Sequence, residues 1–62
     1  MPHDDSYVYI VNGQTIEPRF HDELFRIIER KTGLDKGIAL PILHGGNPIK
    51  HPAFIVTSQR KP

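Results

Sequence analysis

The chain has no cysteine and no tryptophan, and its aromatic content is three Phe and two Tyr in 62 residues. Without cysteine, a disulfide framework, a thiolate zinc site and a nucleophilic thiol are all excluded. A cysteine-free small protein fits a reducing compartment, and the expected location is cytoplasmic. Long apolar runs are missing too. None approaches the ~20 residues that span a bilayer, and the polar residues 1–5 precede no apolar segment of the kind found in secretory leaders. The expectation is a soluble protein with no membrane partner. An excess of one charge is also absent. Eight Lys and Arg face seven Asp and Glu, a formal net charge of +1. That excludes a broad polycationic surface and an acidic nucleic-acid mimic. There are no internal repeats and no low-complexity segments.

A chain of 62 residues makes one domain. It buries only about 60% of its unfolded surface, so its core is thin and association with a partner would relieve it. Two flexible tails are expected, at 1–5 and 59–62.

One segment has a helical period. In residues 19–32, Phe20, Leu24, Ile27 and Ile28 recur at i, i+4, i+7 and i+8 and form an apolar stripe. Asp22 and Glu23 lie in its first turns and Arg30 and Lys31 in its last, as the helix dipole favours. Asp22 and Arg26 have i, i+4 spacing for an ion pair. Pro18 suits the helix start, and Gly33 suits a left-handed residue just past its end. Phe25 falls outside the stripe. It either packs under a loop or marks a contact surface.

The other apolar runs are short and read as strands. Residues 6–11, Ser-Tyr-Val-Tyr-Ile-Val, are β-branched or aromatic after Ser6. Asn12-Gly13 follows, the preferred centre of a type I′ turn. Residues 14–17 return as a second strand, pairing Val11 with Gln14, Ile10 with Thr15, Tyr9 with Ile16 and Val8 with Glu17. Tyr7, Tyr9, Val11 and Ile16 then share one face. Residues 38–43, Ile-Ala-Leu-Pro-Ile-Leu, read as a third strand, kept at an edge by Pro41. Residues 44–52 read as a loop, and 53–58 as a fourth strand. The expected fold is α+β, a ββαββ domain whose four-stranded sheet has the order 2-1-4-3. Its fourth strand would run parallel to the first, and the one helix at about 19–32 would cover it.

These residues resemble the ubiquitin-like β-grasp group. The likeness lies in Tyr9-Ile10-Val11-Asn12-Gly13 as first strand and turn, in 24–34 with its Gly-Leu-Asp exit as the helix, and in Leu43-His44-Gly45-Gly46 after a third strand. The resemblance implies a β-grasp fold and a binding module. Conjugation is not implied, because Gly45-Gly46 is internal and the sequence ends Arg60-Lys61-Pro62.

No catalytic constellation is visible. Ser6, Thr15, Thr32, Thr57 and Ser58 lie on no nucleophile elbow, and the paired acids Asp4/Asp5 and Asp22/Glu23 are sequence neighbours that face apart. His3, His21, His44 and His51 are scattered. A metal would need His44, His51 and Asp35 to converge, and none is expected. The loop His44-Gly45-Gly46-Asn47 leads into Pro48 and not into a helix, which argues against a phosphate site. No cofactor is expected.

The leading expectation is therefore a small non-enzymatic module that binds a larger protein, as a stand-alone regulator or inhibitor, with a homodimer also compatible. The candidate contact residues are Phe25, Arg26 and Glu29 on the helix and His44, Asn47, Lys50 and His51 in the loop. The alternative is a nucleic-acid-binding protein. It would stack bases on Tyr7 and Tyr9 and hold phosphates with Lys50, Arg60 and Lys61.

Overall fold

A computed structural model describes residues 6–61. The tails expected at 1–5 and at Pro62 lie outside the described residues, whereas Gln59 and Arg60, expected in a tail, are paired strand. The element order is β1 (Tyr7–Val11), β2 (Gln14–Ile16), a 3₁₀ turn (Pro18–Phe20), α1 (His21–Thr32), α2 (Lys36–His44), β3 (Ile49–His51) and β4 (Phe54–Arg60). The strands form a single sheet in the order β2-β1-β4-β3.

The first hairpin follows from its turn. Asn12 and Gly13 both adopt positive φ, 50° and 83°, so the turn twists with the strands it joins. The register pairs Val11 with Gln14, Ile10 with Thr15 and Tyr9 with Ile16. β2 ends at Ile16, so the expected pairing of Val8 with Glu17 is not part of the ladder. Asn12 also reaches the far side of the sheet. Its N–H donates to the Ile55 carbonyl, and its Oδ1 accepts from the Ile55 N–H, each at 3.0 Å. One residue thus closes the hairpin and anchors the start of β4. Asn12→Gly keeps the turn and is expected to cost about 1 kcal/mol for the lost Oδ1 bond. Asn12→Ala adds the strain of positive φ, for a total of about 2 kcal/mol. Urea unfolding of the two variants separates the contributions. Equal losses would show that the side-chain bond to Ile55 contributes nothing.

The third strand expected at 38–43 is instead the body of α2. A short apolar run cannot distinguish a strand from a buried helix by pattern alone. The local chemistry favours the helix: the Asp35 side chain caps it, accepting from the Ile38 N–H at 3.1 Å. Ala39 and Leu43, four apart, are its buried face. Pro41 sits inside α2 and not in a strand. The turn between the helices is set by Gly33, at φ 77°, whose N–H bonds the Glu29 carbonyl at 2.8 Å. Thr32 Oγ1 donates to the Ile28 carbonyl and accepts from the Leu34 N–H.

The extra helix reverses the direction of everything after it. With one crossover helix β4 would have run parallel to β1. With two antiparallel helices it runs antiparallel, and all three pairings in the sheet are antiparallel. β4 spans the whole of β1, from Tyr7 opposite Arg60 to Val11 opposite Val56. β3 lies in what was expected to be loop, closing a tight hairpin onto β4 through Pro52 and Ala53.

Both helices lie on one face of the sheet. The core is Tyr9, Leu24, Phe25, Ile28, Ala39, Leu43, Ile49 and Val56, with Tyr7, Val11, Ile16 and Phe54 packed against it. The expected hairpin face of Tyr7, Tyr9, Val11 and Ile16 is this inner face. Among the described residues no polar side chain is buried, and no helix is long and apolar enough to cross a membrane.

Candidate functional site

The second helix changes how α1 sits. A helix lying on a sheet alone buries one stripe. A helix that also has a helical neighbour buries a wider arc, rotated toward that neighbour. The buried residues of α1 are Leu24, Phe25 and Ile28. Phe25 is 5% exposed, with its ring edge-on to Tyr9 at 5.2 Å and under the Lys36 ammonium at 5.8 Å. Phe25 as a surface contact residue is thus corrected: it is core. The rotation turns the other end of the stripe outward, leaving Phe20 43% and Ile27 40% exposed.

Those two residues border an open groove of about 230 Å³ between α1 and the sheet. Val11, Ile16 and Phe54 line the sheet side. Phe20, Leu24, Ile27 and Ile28 line the helix side, and Glu23 is the one charged lining residue. The groove lies next to β2, an edge strand. In the β1–β2 pairing Val11–Gln14 and Tyr9–Ile16 exchange their backbone bonds. Of the three β2 residues, Thr15 is therefore the one whose N–H and C=O point outward. At the mouth of the groove the Arg19 guanidinium lies 4.9 Å from the Phe20 ring centroid, and Arg19 Nε bonds Glu17 Oε2 at 3.0 Å.

The expected contact residues fall into two separated groups. Phe25, Arg26 and Glu29 meet Asp22 and Lys36 around a shallow polar cleft where α1 passes the start of α2. There Asp22 pairs with Lys36, at 3.6 Å, and not with Arg26 as its spacing suggested. His44 and Asn47 lie at and beyond the other end of α2, a nine-residue helix about 13 Å long. Lys50 is exposed on the edge strand β3. His51 stacks on Phe54 at 4.8 Å, and its Nδ1 accepts from the Ala53 N–H. Asp35, His44 and His51 do not converge. Among the described residues no group of three or more potential ligands could hold a metal ion.

Tyr7 and Tyr9 do not present a stacking face. Tyr9 is 3% exposed. The rings of Tyr7 and His44 lie face to face, with centroids 3.7 Å apart and an interplanar angle of 5°. The Tyr9 hydroxyl and His44 Nε2 share a hydrogen bond of 2.6 Å. On the other side His21 sits edge-on to Tyr9 and donates Nε2–H to the Ile16 carbonyl at 3.2 Å. Ser58 Oγ donates to the Leu43 carbonyl at 2.6 Å. Tyr7, Tyr9 and two of the four histidines thus pin both helices to the sheet. Arg60 and Lys61 are exposed at the end of β4. Tyr9→Phe is expected to cost about 1 kcal/mol in urea unfolding, because it removes one hydrogen bond while the ring stays packed. An unchanged midpoint would mean that the His44 bond adds nothing to stability.

The groove residues Phe20, Ile27, Phe54 and Glu23 are absent from the sequence-derived set. A signal for them existed. Phe20, Leu24, Phe25, Ile27 and Ile28 cover more of the helix circumference than one sheet can bury, so some of them had to remain outside. Neither a family model, a curated protein nor a solved structure matches the chain.

Proposed function

We propose that the chain is a small non-enzymatic protein-binding module whose contact surface is the apolar groove between α1 and the first hairpin. The observation that carries this reading is the groove itself, where Phe20 and Ile27 are exposed beside Val11, Ile16 and Phe54. Isolated exposed apolar residues are ordinary on a protein surface, but a contiguous apolar depression is a docking feature. At about 230 Å³ the groove is smaller than the ~300–1,000 Å³ of small-molecule and cofactor sites. It suits one or two side chains of a partner. Glu23, its single charge, selects an apolar anchor with a basic neighbour. A compact module of this kind suits a stand-alone regulator or inhibitor.

The reading is tested by selecting displayed random peptides on the wild-type chain after depletion on Ile27→Asp. The expected outcome is a consensus of an aliphatic or aromatic anchor with Lys or Arg nearby, whose amide-shift footprint covers Val11, Ile16, Phe20 and Ile27. No enrichment over Ile27→Asp, or a footprint on Lys50 and the outer sheet, would overturn it.

A further inference from the structure

The groove is flanked by a pattern that repeats when the helix is turned end for end. At about 100° per residue, Phe20, Glu23, Ile27, Arg30 and Lys31 occupy one arc of α1, beside the arc that holds Leu24, Ile28 and Phe25. Glu23, Ile27, Arg30 and Lys31 are all exposed. Ile27 stands midway between Glu23 and Lys31, four residues from each, and so one turn away on either side. Within the described chain neither Glu23 nor Lys31 forms an ion pair, whereas Asp22 and Glu17, in the same region, do.

We infer that the partner of this surface is a second copy of the chain, docked with its α1 antiparallel to the first. The inference rests on the proposed binding role of the groove and names its occupant. A two-fold axis through Ile27 places Ile27 against its symmetry mate. It puts Glu23 of each protomer opposite Lys31 of the other, and Phe20 opposite Leu34. The interface is isologous, so each favourable pair occurs twice. The anchor that the groove calls for, an apolar side chain with a basic neighbour, is what Ile27 and Lys31 present. A second copy also covers the apolar surface that a 62-residue chain is too small to bury by itself.

The test is the mass of the full chain in solution by light scattering and sedimentation, from about 10 μM to about 1 mM, the range of Kd for small interfaces. The expected result is reversible formation of a dimer of the 7.1 kDa chain that Ile27→Asp abolishes while leaving the circular dichroism spectrum unchanged. Glu23→Lys and Lys31→Glu each place like charges opposite one another twice and are expected to weaken the homodimer about tenfold. Mixed together, these two variants form a heterodimer in which both pairs are again opposite in sign, and wild-type affinity returns. Mixing leaves each helix as it was, so a change in helix stability cannot imitate the recovery. A mixture no tighter than its components overturns the arrangement, as does a dimer indifferent to Ile27→Asp. A strict monomer that still selects the peptide consensus overturns the second copy and leaves the binding module standing. A monomer with no consensus overturns both.

Discussion

Replacing Ile28 with alanine is expected to remove about 3–4 kcal/mol of stability. Ile28 is fully buried, on the arc of α1 that meets both the sheet and α2. The truncation leaves a cavity in a core of only eight buried side chains, and little around it can collapse to fill the space. A domain of 62 residues has roughly 3–9 kcal/mol in total, so the variant is expected to melt at least about 12 °C lower. The neighbouring residue is the control. Ile27→Ala, on the exposed arc, is expected to change stability by less than about 1 kcal/mol. Thermal and urea unfolding of the two variants measures the orientation of α1 directly. Similar losses for both would mean that the helix is not rotated as described.

The second large effect is at Phe25. Phe25→Ala is expected to cost about 3–5 kcal/mol, because the ring fills the junction of α1, α2 and Tyr9 and gives up its edge-to-face contact there. Phe25→Leu keeps most of the volume and is expected to cost under about 1.5 kcal/mol. The ordering Ala far below Leu, read by urea unfolding, is the signature of a packed core position. If Phe25→Ala unfolds at the wild-type midpoint, the residue is a surface aromatic after all. The consequence for binding studies is practical. A Phe25→Ala variant that loses a partner reports unfolding, whereas Ile27→Asp addresses the exposed surface.

The first half of the fold was legible because its signals are local. Asn12-Gly13 specifies the hairpin register through backbone conformation alone, and the dipole-matched charges and Gly33 mark the end of α1. The order of the four strands across the sheet was legible as well, since the strand apolar on both faces must be central. The third element was not. Ile-Ala-Leu-Pro-Ile-Leu satisfies a strand pattern, and a proline at its middle weighs against a helix as strongly as against a central strand. What decides the matter is the cap at Asp35 together with the spacing of Ala39 and Leu43, features that gain meaning only with α1 beside them. That one misreading propagated. Without α2 the direction of β4 comes out reversed, α1 has no reason to rotate, and Phe25 is left without a burial site. The groove follows from the same rotation, so it was out of reach until both helices were in place. His44 shows the same dependence: a residue of a glycine-rich loop in the sequence is, in the fold, the ring stacked on Tyr7.

The element order reads hairpin, helix, helix, hairpin, with the turn at Gly33, Leu34 and Asp35 as its midpoint. Each half carries its own two strands joined by a two-residue turn, and each delivers one strand to the centre of the sheet. Hairpins and single helices assemble in microseconds from neighbouring residues. The β1–β4 seam, by contrast, joins opposite ends of the chain and must close everything between them. Folding is thus expected to be limited by the docking of two prefabricated halves. A backbone cut at Leu34 leaves each half with the full instructions for its own hairpin, and with an open β-edge that only the other half completes.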